Sequence, residues 1–196
     1  MPEIRTHTGT AARPFLADLA RLRISVFRSF PYLYEGSLED ETGYLADYFS
    51  SEKSLLVTVE ENSVIVGAST AGPLVEAGLG FLAPFLEKSM ALDEIFYFGE
   101  SILMPEYRGQ GIGHRFFDLR ESWAKFCGFR IAAFCAVERE PDHPQRPADY
   151  RPLDSFWKSR GYAKREDLVA KLFWKEVGGE ARPEVGHDLT FWLKSL

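Results

Sequence analysis

Apolar positions change their period several times along the chain, and each change marks an element. Phe15, Leu19, Leu22, Val26 and Phe27 recur at helical spacing, which predicts a helix over 15–27 with Arg21, Arg23 and Arg28 off its apolar face. Pro31 predicts its end, and Phe30-Pro31-Tyr32-Leu33-Tyr34-Glu35-Gly36 then reads as an aromatic loop. Ser37 is placed to cap a second helix, with Asp40 at the capping-box position, where Glu would fit better. Leu38, Leu45, Tyr48 and Phe49 give that helix an inner side. Residues 3–7 form a short first strand. Residues 54–59 and 64–71 are β-rich runs around the turn Glu60-Glu61-Asn62-Ser63, with Gly72-Pro73 stopping the second. Pro84 divides 77–90 into two short helical pieces. Residues 95–103 read as a strand. Phe116, Phe117, Leu119, Trp123 and Phe126 mark a helix over 111–126, and 130–137 is apolar throughout, as a buried strand should be. Four prolines make 138–152 a loop. A short helix over 153–160 stops at Gly161, and strands over 168–174 and 189–193 close the chain.

This order mixes antiparallel hairpins with a strand–helix–strand unit, so it predicts an α/β fold: one mixed sheet with helices covering it. The 196 residues suit a single domain spanning 1–196, and no repeat or low-complexity linker suggests a boundary. A net charge of -6 argues against nucleic acid or an anionic membrane surface as the main partner and is compatible with a cationic substrate. No apolar run reaches a membrane span and no signal pattern opens the chain, which predicts a cytoplasmic protein. Cys127 and Cys135 provide neither a disulfide framework nor metal spacing, and Cys135 lies among apolar neighbours, so both are read as reduced and no metal is expected.

The chemistry concentrates in Pro105-Glu106-Tyr107-Arg108-Gly109-Gln110-Gly111-Ile112-Gly113-His114, between a predicted strand and a predicted helix. Free backbone N–H groups and the positive end of a helix dipole converge there, a setting that suits phosphate. Gly111 and Gly113 allow close backbone approach, and Arg108 adds a permanent charge. A P-loop would need Lys-Ser/Thr after the last glycine, where His114-Arg115 stands. A dinucleotide fingerprint would need a different third glycine spacing. The remaining pattern, Arg/Gln-x-x-Gly-x-Gly/Ala, is met by Arg108, Gly111 and Gly113.

With Pro105-Glu106-Tyr107 in front, this run resembles the pyrophosphate loop of the GNAT acetyltransferase superfamily. The order of elements along the whole chain is also that of GNAT enzymes. The resemblance implies a twisted mixed sheet of about seven strands, splayed in the middle, and acetyl-coenzyme A as co-substrate. It assigns Arg108, Gly109, Gln110, Gly111, Ile112, Gly113 and His114 to the pyrophosphate, and the backbone of Ile102, Leu103 and Met104 to the pantetheine arm. Phe156-Trp157-Lys158-Ser159-Arg160-Gly161-Tyr162 matches the outline of a later family motif, whose second aromatic is often a Tyr that protonates the departing thiolate. Trp157 occupies that position here. Indole cannot serve as the acid, so Trp157 is read as packing near the thiol end of the coenzyme. Tyr162, Tyr150 or solvent then supplies the proton.

Transfer to an amine also requires a base. Glu100 is the first candidate, on the strand beside the reaction centre, sharing a face with Ile102 or Phe98; a structural ion pair is the alternative reading. Glu138, Asp142 and His143 follow the neighbouring strand. Tyr32, Tyr34 and Glu35 form an aromatic, acidic wall for the acceptor, or else a helix connection packed on the core. The sequence thus points to an N-acetyltransferase acting on a small-molecule or peptide amine by direct attack. A non-catalytic acyl-coenzyme A binding module and a protein N-terminal or lysine acetyltransferase are the alternatives. A homodimer is compatible with the sequence.

Overall fold

The computed structural model describes residues 2–178 and 183–196. Its elements are β1 (Glu3–Thr8), α1 (Leu16–Phe27), α2 (Leu38–Tyr48), β2 (Leu55–Glu61), β3 (Val64–Pro73), α3 (Leu79–Glu87), β4 (Ile95–Leu103), α4 (Ile112–Phe126), β5 (Ile131–Val137), α5 (Asp154–Ser159), β6 (Ala163–Trp174) and β7 (Val185–Ser195). The strands form one seven-stranded sheet in the order β1-β2-β3-β4-β5-β7-β6. Among the described residues only β4 and β5 pair in parallel, and the other neighbours are antiparallel. This is the mixed, helix-covered sheet that the pattern predicts.

Local chemistry explains the boundaries. Asn62 and Ser63 both take positive φ, so a two-residue turn joins β2 to β3, tighter than the four-residue turn expected. Ser37 Oγ accepts the Asp40 N–H at 3.2 Å, as a helix cap should. The short Asp40 carboxylate instead accepts from the Ser37 hydroxyl at 2.6 Å. Leu45 and Phe49 are buried under α2, Leu38 is exposed, and the Tyr48 side chain lies outside the described residues.

One expectation needs correction. Pro84 lies inside one continuous helix, α3, rather than between two pieces. In so short a helix proline removes a single backbone bond, and burial of Pro84 and Phe85 against the sheet offsets that loss. Gly72-Pro73 does end β3, two residues past the expected run, with Pro73 still paired with Phe96 of β4.

Three apolar clusters hold the layers together. On one face α4 and α5 pack Phe116, Phe117, Phe156 and Trp157 against Phe96, Phe98 and Phe134. On the other face α1 and α2 cover Leu56, Ala68 and Ile102. Alongside them, α3 and Tyr32 cover Tyr97, Ala133 and Cys135.

Candidate active site

The glycine run forms an open helix entrance. A 3₁₀ turn at Pro105–Tyr107 leads from β4 into Arg108, and Gly109 and Gly111 take φ of +74° and +80°. An L side chain is strained there, which accounts for glycine at both positions. A Cβ added at Gly109 or Gly111 would meet nothing within 4 Å, so the backbone borders open space. Gly111 caps α4 without any side-chain hydrogen bond, and the N–H groups of the first turn have no partner inside the helix. Gln110 reaches back to the Glu106 carbonyl at 3.0 Å and Tyr107 donates to Glu61 at 2.7 Å, fixing the turn. These residues fit a pyrophosphate: they combine open backbone, a helix dipole and the Arg108 charge.

The sheet splits beside this loop. β4 and β5 pair only at Ile95–Ile131, Phe96–Ala132 and Tyr97–Ala133, and then part. The edge of β4 beyond Tyr97 therefore borders a cleft. Of the three pantetheine candidates, Met104 has its N–H bound to Val66 O at 2.9 Å, and Ile102 is buried beneath α1. Leu103 is the one at the cleft edge, where its carbonyl accepts from Arg108 Nε at 3.1 Å.

A bulge in β4 decides where Glu100 points. Ser69 faces Ser101 and Ala71 faces Phe98, so two β4 residues, Gly99 and Glu100, oppose Thr70 alone. Before the bulge, even-numbered Phe96 and Phe98 face α4; after it, Ile102 faces α1. Glu100 accordingly shares a face with Ile102 and not with Phe98. Its carboxylate accepts from Arg23 of α1 and from the Thr70 hydroxyl, and Arg23 also donates to Glu41 of α2. Glu41 and Glu100 are 2% and 6% exposed. On the reverse side the buried Arg120 donates to Glu100 O at 3.1 Å and Ser101 Oγ at 2.7 Å, satisfying backbone that the bulge leaves unpaired.

The aromatic loop divides its three candidates. Tyr32 turns inward and packs in the same cluster as Cys135 and Val137. Burial, first of all, raises its pKa. Arg139 locks this loop, donating to Pro31 O at 2.7 Å and to Tyr32 O at 2.9 Å, while Trp174 donates to Tyr32 O at 3.0 Å. Tyr34 lies across Gly36, where a Cβ would meet its ring at 2.3 Å, and its pKa is raised by burial and by Glu41. Glu35 is a correction: it turns to the surface and pairs with Arg28 at 3.3 Å.

Tyr162 is a second correction. It is 3% exposed among Phe98, Phe117 and Phe134, and its hydroxyl donates to Glu121 at 3.1 Å. That burial seals it in the core, and burial with Glu121 pushes its pKa up. Trp157 packs on Phe134 and Trp192 with centroids 5.1 Å away in each case. Neighbouring Phe156 touches Gly113 and His114, which seats α5 against the first turn of α4. Cys135 is a core thiol with its pKa pushed up to about 12 by burial. Among the described residues no group of His, Cys, Asp and Glu is arranged to hold a metal, and no helix is long and apolar enough to cross a membrane.

Past Val137 a cleft of about 300 Å³ opens between the aromatic loop and the loop that follows β5. Phe30 and Pro31 line one side, and Glu138, Arg139, Arg146, Tyr150 and Asp154 the other. Of the further base candidates, Glu138 is paired with Lys164 at 2.7 Å, Asp142 is exposed, and His143 packs on Phe30.

Arg23, Arg120 and Arg139 are the contributors that the sequence reading missed. A signal existed for two of them. Arg23 stands four residues from both Leu19 and Phe27, and Arg120 stands four from Phe116 and three from Phe117 and Trp123, so both lie on inner faces.

Comparison with known proteins agrees with this fold. The chain has the fold of the ribosomal-protein-alanine N-acetyltransferase from Brucella melitensis, at TM-score 0.62 and 15% identity over 99% of each chain. The PaiA N-acetyltransferase from Thermoplasma acidophilum, solved with coenzyme A, superposes at TM-score 0.59 and 11% identity over 99% of each chain. An N-acetyltransferase from Staphylococcus aureus Mu50 gives 0.59 and 12% over 98% of each. A search of curated protein sequences returned no significant match. The family model described as "Acetyltransferase (GNAT) family" matches residues 19–147, more than half of the chain. The chain therefore belongs to the GNAT acetyltransferase family.

Proposed function

We propose that this protein transfers an acetyl group from acetyl-coenzyme A to a primary amine by direct attack, in a ternary complex. One observation carries the reading: β4 and β5 part after three paired residues, immediately beside a helix entrance whose glycines border open space. The N–H groups of Ile112, Gly113 and His114, with Arg108, would hold the pyrophosphate, and the edge of β4 at Leu103 would hold the pantetheine arm. Bound there, acetyl-coenzyme A supplies the activated acyl carbon.

The remaining chemistry belongs to the chain. Glu100 takes the proton of the acceptor ammonium, directly or through one water, while Arg23 and Thr70 hold its carboxylate in place. Tyr32 walls the acceptor side. With Tyr162 sealed in the core, Tyr150 is the phenol lining the cleft that returns a proton to the leaving sulfur. The indole of Trp157 packs and donates no proton. The test is release of free thiol from acetyl-coenzyme A with a panel of amines. Amine-dependent release supports the reading. Coenzyme binding without release by any amine would make the protein an acyl-coenzyme A binding module instead.

A further inference from the structure

The cleft past Val137 lies on the face of β5 that carries Cys135 and Tyr32, the face to which the bulge turns Glu100. It therefore opens on the side of the sheet to which Glu100 turns, next to the aromatic loop that carries Tyr32. Its volume of about 300 Å³ stands at the small end of ligand pockets and suits a molecule of amino-acid size.

The lining charges narrow the choice. Arg139 is spent: it holds two loop carbonyls and Glu176, the latter at 2.7 Å. Glu138 is neutralised by Lys164. Arg146 remains. Its guanidinium lies 4.9 Å from the Tyr150 ring centroid, and Tyr150 in turn meets Phe30 edge-on at 4.7 Å. Among the described residues no carboxylate pairs with Arg146. Stacking uses the face of a guanidinium and leaves its edge N–H groups free, in the fork geometry that binds a carboxylate through two parallel hydrogen bonds.

We infer that the acceptor is a small amine that also carries a carboxylate, an amino acid, with Arg146 as the residue that binds the carboxylate. Its amine end then points past Tyr150 toward Tyr32 and Glu100, and the aromatic wall of Phe30 and Tyr150 holds the body between. This rests on the acetyl-transfer reading and specifies its substrate. Polyamines lack the anionic end, and at a protein N-terminus the carboxyl next to the amine is tied up in a peptide bond.

The experiment compares free amino acids with their carboxamides, together with spermidine and short peptides, in thiol release from acetyl-coenzyme A. Amino acids should exceed their amides in kcat/KM by about tenfold to a hundredfold, the worth of charge-assisted hydrogen bonds. In Arg146→Gln that preference should vanish through KM, with kcat kept and the acetyl-coenzyme A thermal shift unchanged. Arg146→Lys should restore part of it. Equal use of acids and amides, an Arg146→Gln variant with unaltered preference, or turnover of spermidine or peptides alone would overturn the inference and leave acetyl transfer standing. No release with any amine, in protein that still binds acetyl-coenzyme A, would overturn both.

Discussion

Arg23 should be the most costly single side chain to remove on the acceptor side. It serves two carboxylates, Glu41 and Glu100, and is itself 12% exposed. In Arg23→Met the shape of the helix face survives, but both carboxylates stay in sites nearly closed to water. Breaking one buried ion pair from one side costs about 3–5 kcal/mol, and here a single cation is withdrawn from two. For a chain of this length 1 kcal/mol shifts the thermal midpoint by about 2–4 °C, so the expected fall is roughly 6–20 °C. The net stability of ordinary domains, about 5–15 kcal/mol, leaves most of that range folded at room temperature. The assay is thermal melting of Arg23→Met, of Glu41→Gln/Glu100→Gln, and of the triple variant. Neutralising the stranded carboxylates should recover much of the loss, so the triple variant should melt above Arg23→Met. A midpoint within about 4 °C of the parent, or a triple variant no more stable than the single one, refutes the buried-network account. Glu100→Gln by itself keeps an oxygen for Arg23 and Thr70 but loses the basic carboxylate. It should slow transfer about 10²-fold, less at high pH where more amine is neutral, while coenzyme binding persists. Normal rates at neutral pH would leave Glu100 with the ion pair as its only role.

Acetyl-coenzyme A should raise the thermal midpoint of the parent by mass action, and Gly111→Val should abolish that rise, since a β-branched residue is strained at φ +80° and blocks the open backbone; a variant that binds as tightly as the parent removes the loop from the coenzyme site. Trp157→Phe should keep most activity, because Trp157 packs on Phe134 and Trp192; lost turnover with unchanged stability and coenzyme affinity would make it a catalytic residue. His187, stacked on Trp174 at 3.7 Å, has its pKa lowered by burial and by Arg139, so it is held neutral in the fold. The unfolded chain then binds the extra proton below about pH 6.5, and stability falls as pH falls from there through the lower folded value. His187→Phe should narrow the difference in thermal midpoint between pH 7.5 and pH 5.5, and an undiminished difference would assign that acid sensitivity to other groups.

The elements themselves were legible because their signals are local. The strand at Ile95–Leu103 is bounded as its composition predicts, and the helix after it starts one residue past the expected glycine. β6 was read short because its first half, Ala163 to Asp167, is charged and lacks β-rich alternation. Its place in the sheet is imposed by pairing with Phe191 to Leu193 of β7, a contact between distant parts of the chain. Pro84 misled for the opposite reason: a local rule about helix interiors was outweighed by tertiary packing.

The candidate site divides along the same line. The glycine loop could be read from sequence because a phosphate site is made by neighbours in the chain, through positive φ and a helix entrance. The proposed acceptor side is assembled from α1, α2, β3, β4 and two loops, and no sequence window contains it. Strand alternation leaves Glu100 facing with Phe98 or with Ile102, and only the extra residue opposite Thr70 chooses Ile102. That choice then has consequences across the fold. It turns a carboxylate toward α1, where Arg23, four residues from both Leu19 and Phe27, meets it, and it leaves strand carbonyls that Arg120 must satisfy from the other face. One inserted residue in β4 thereby accounts for both buried arginines, and it puts Glu100 on the side where the cleft with Arg146 opens.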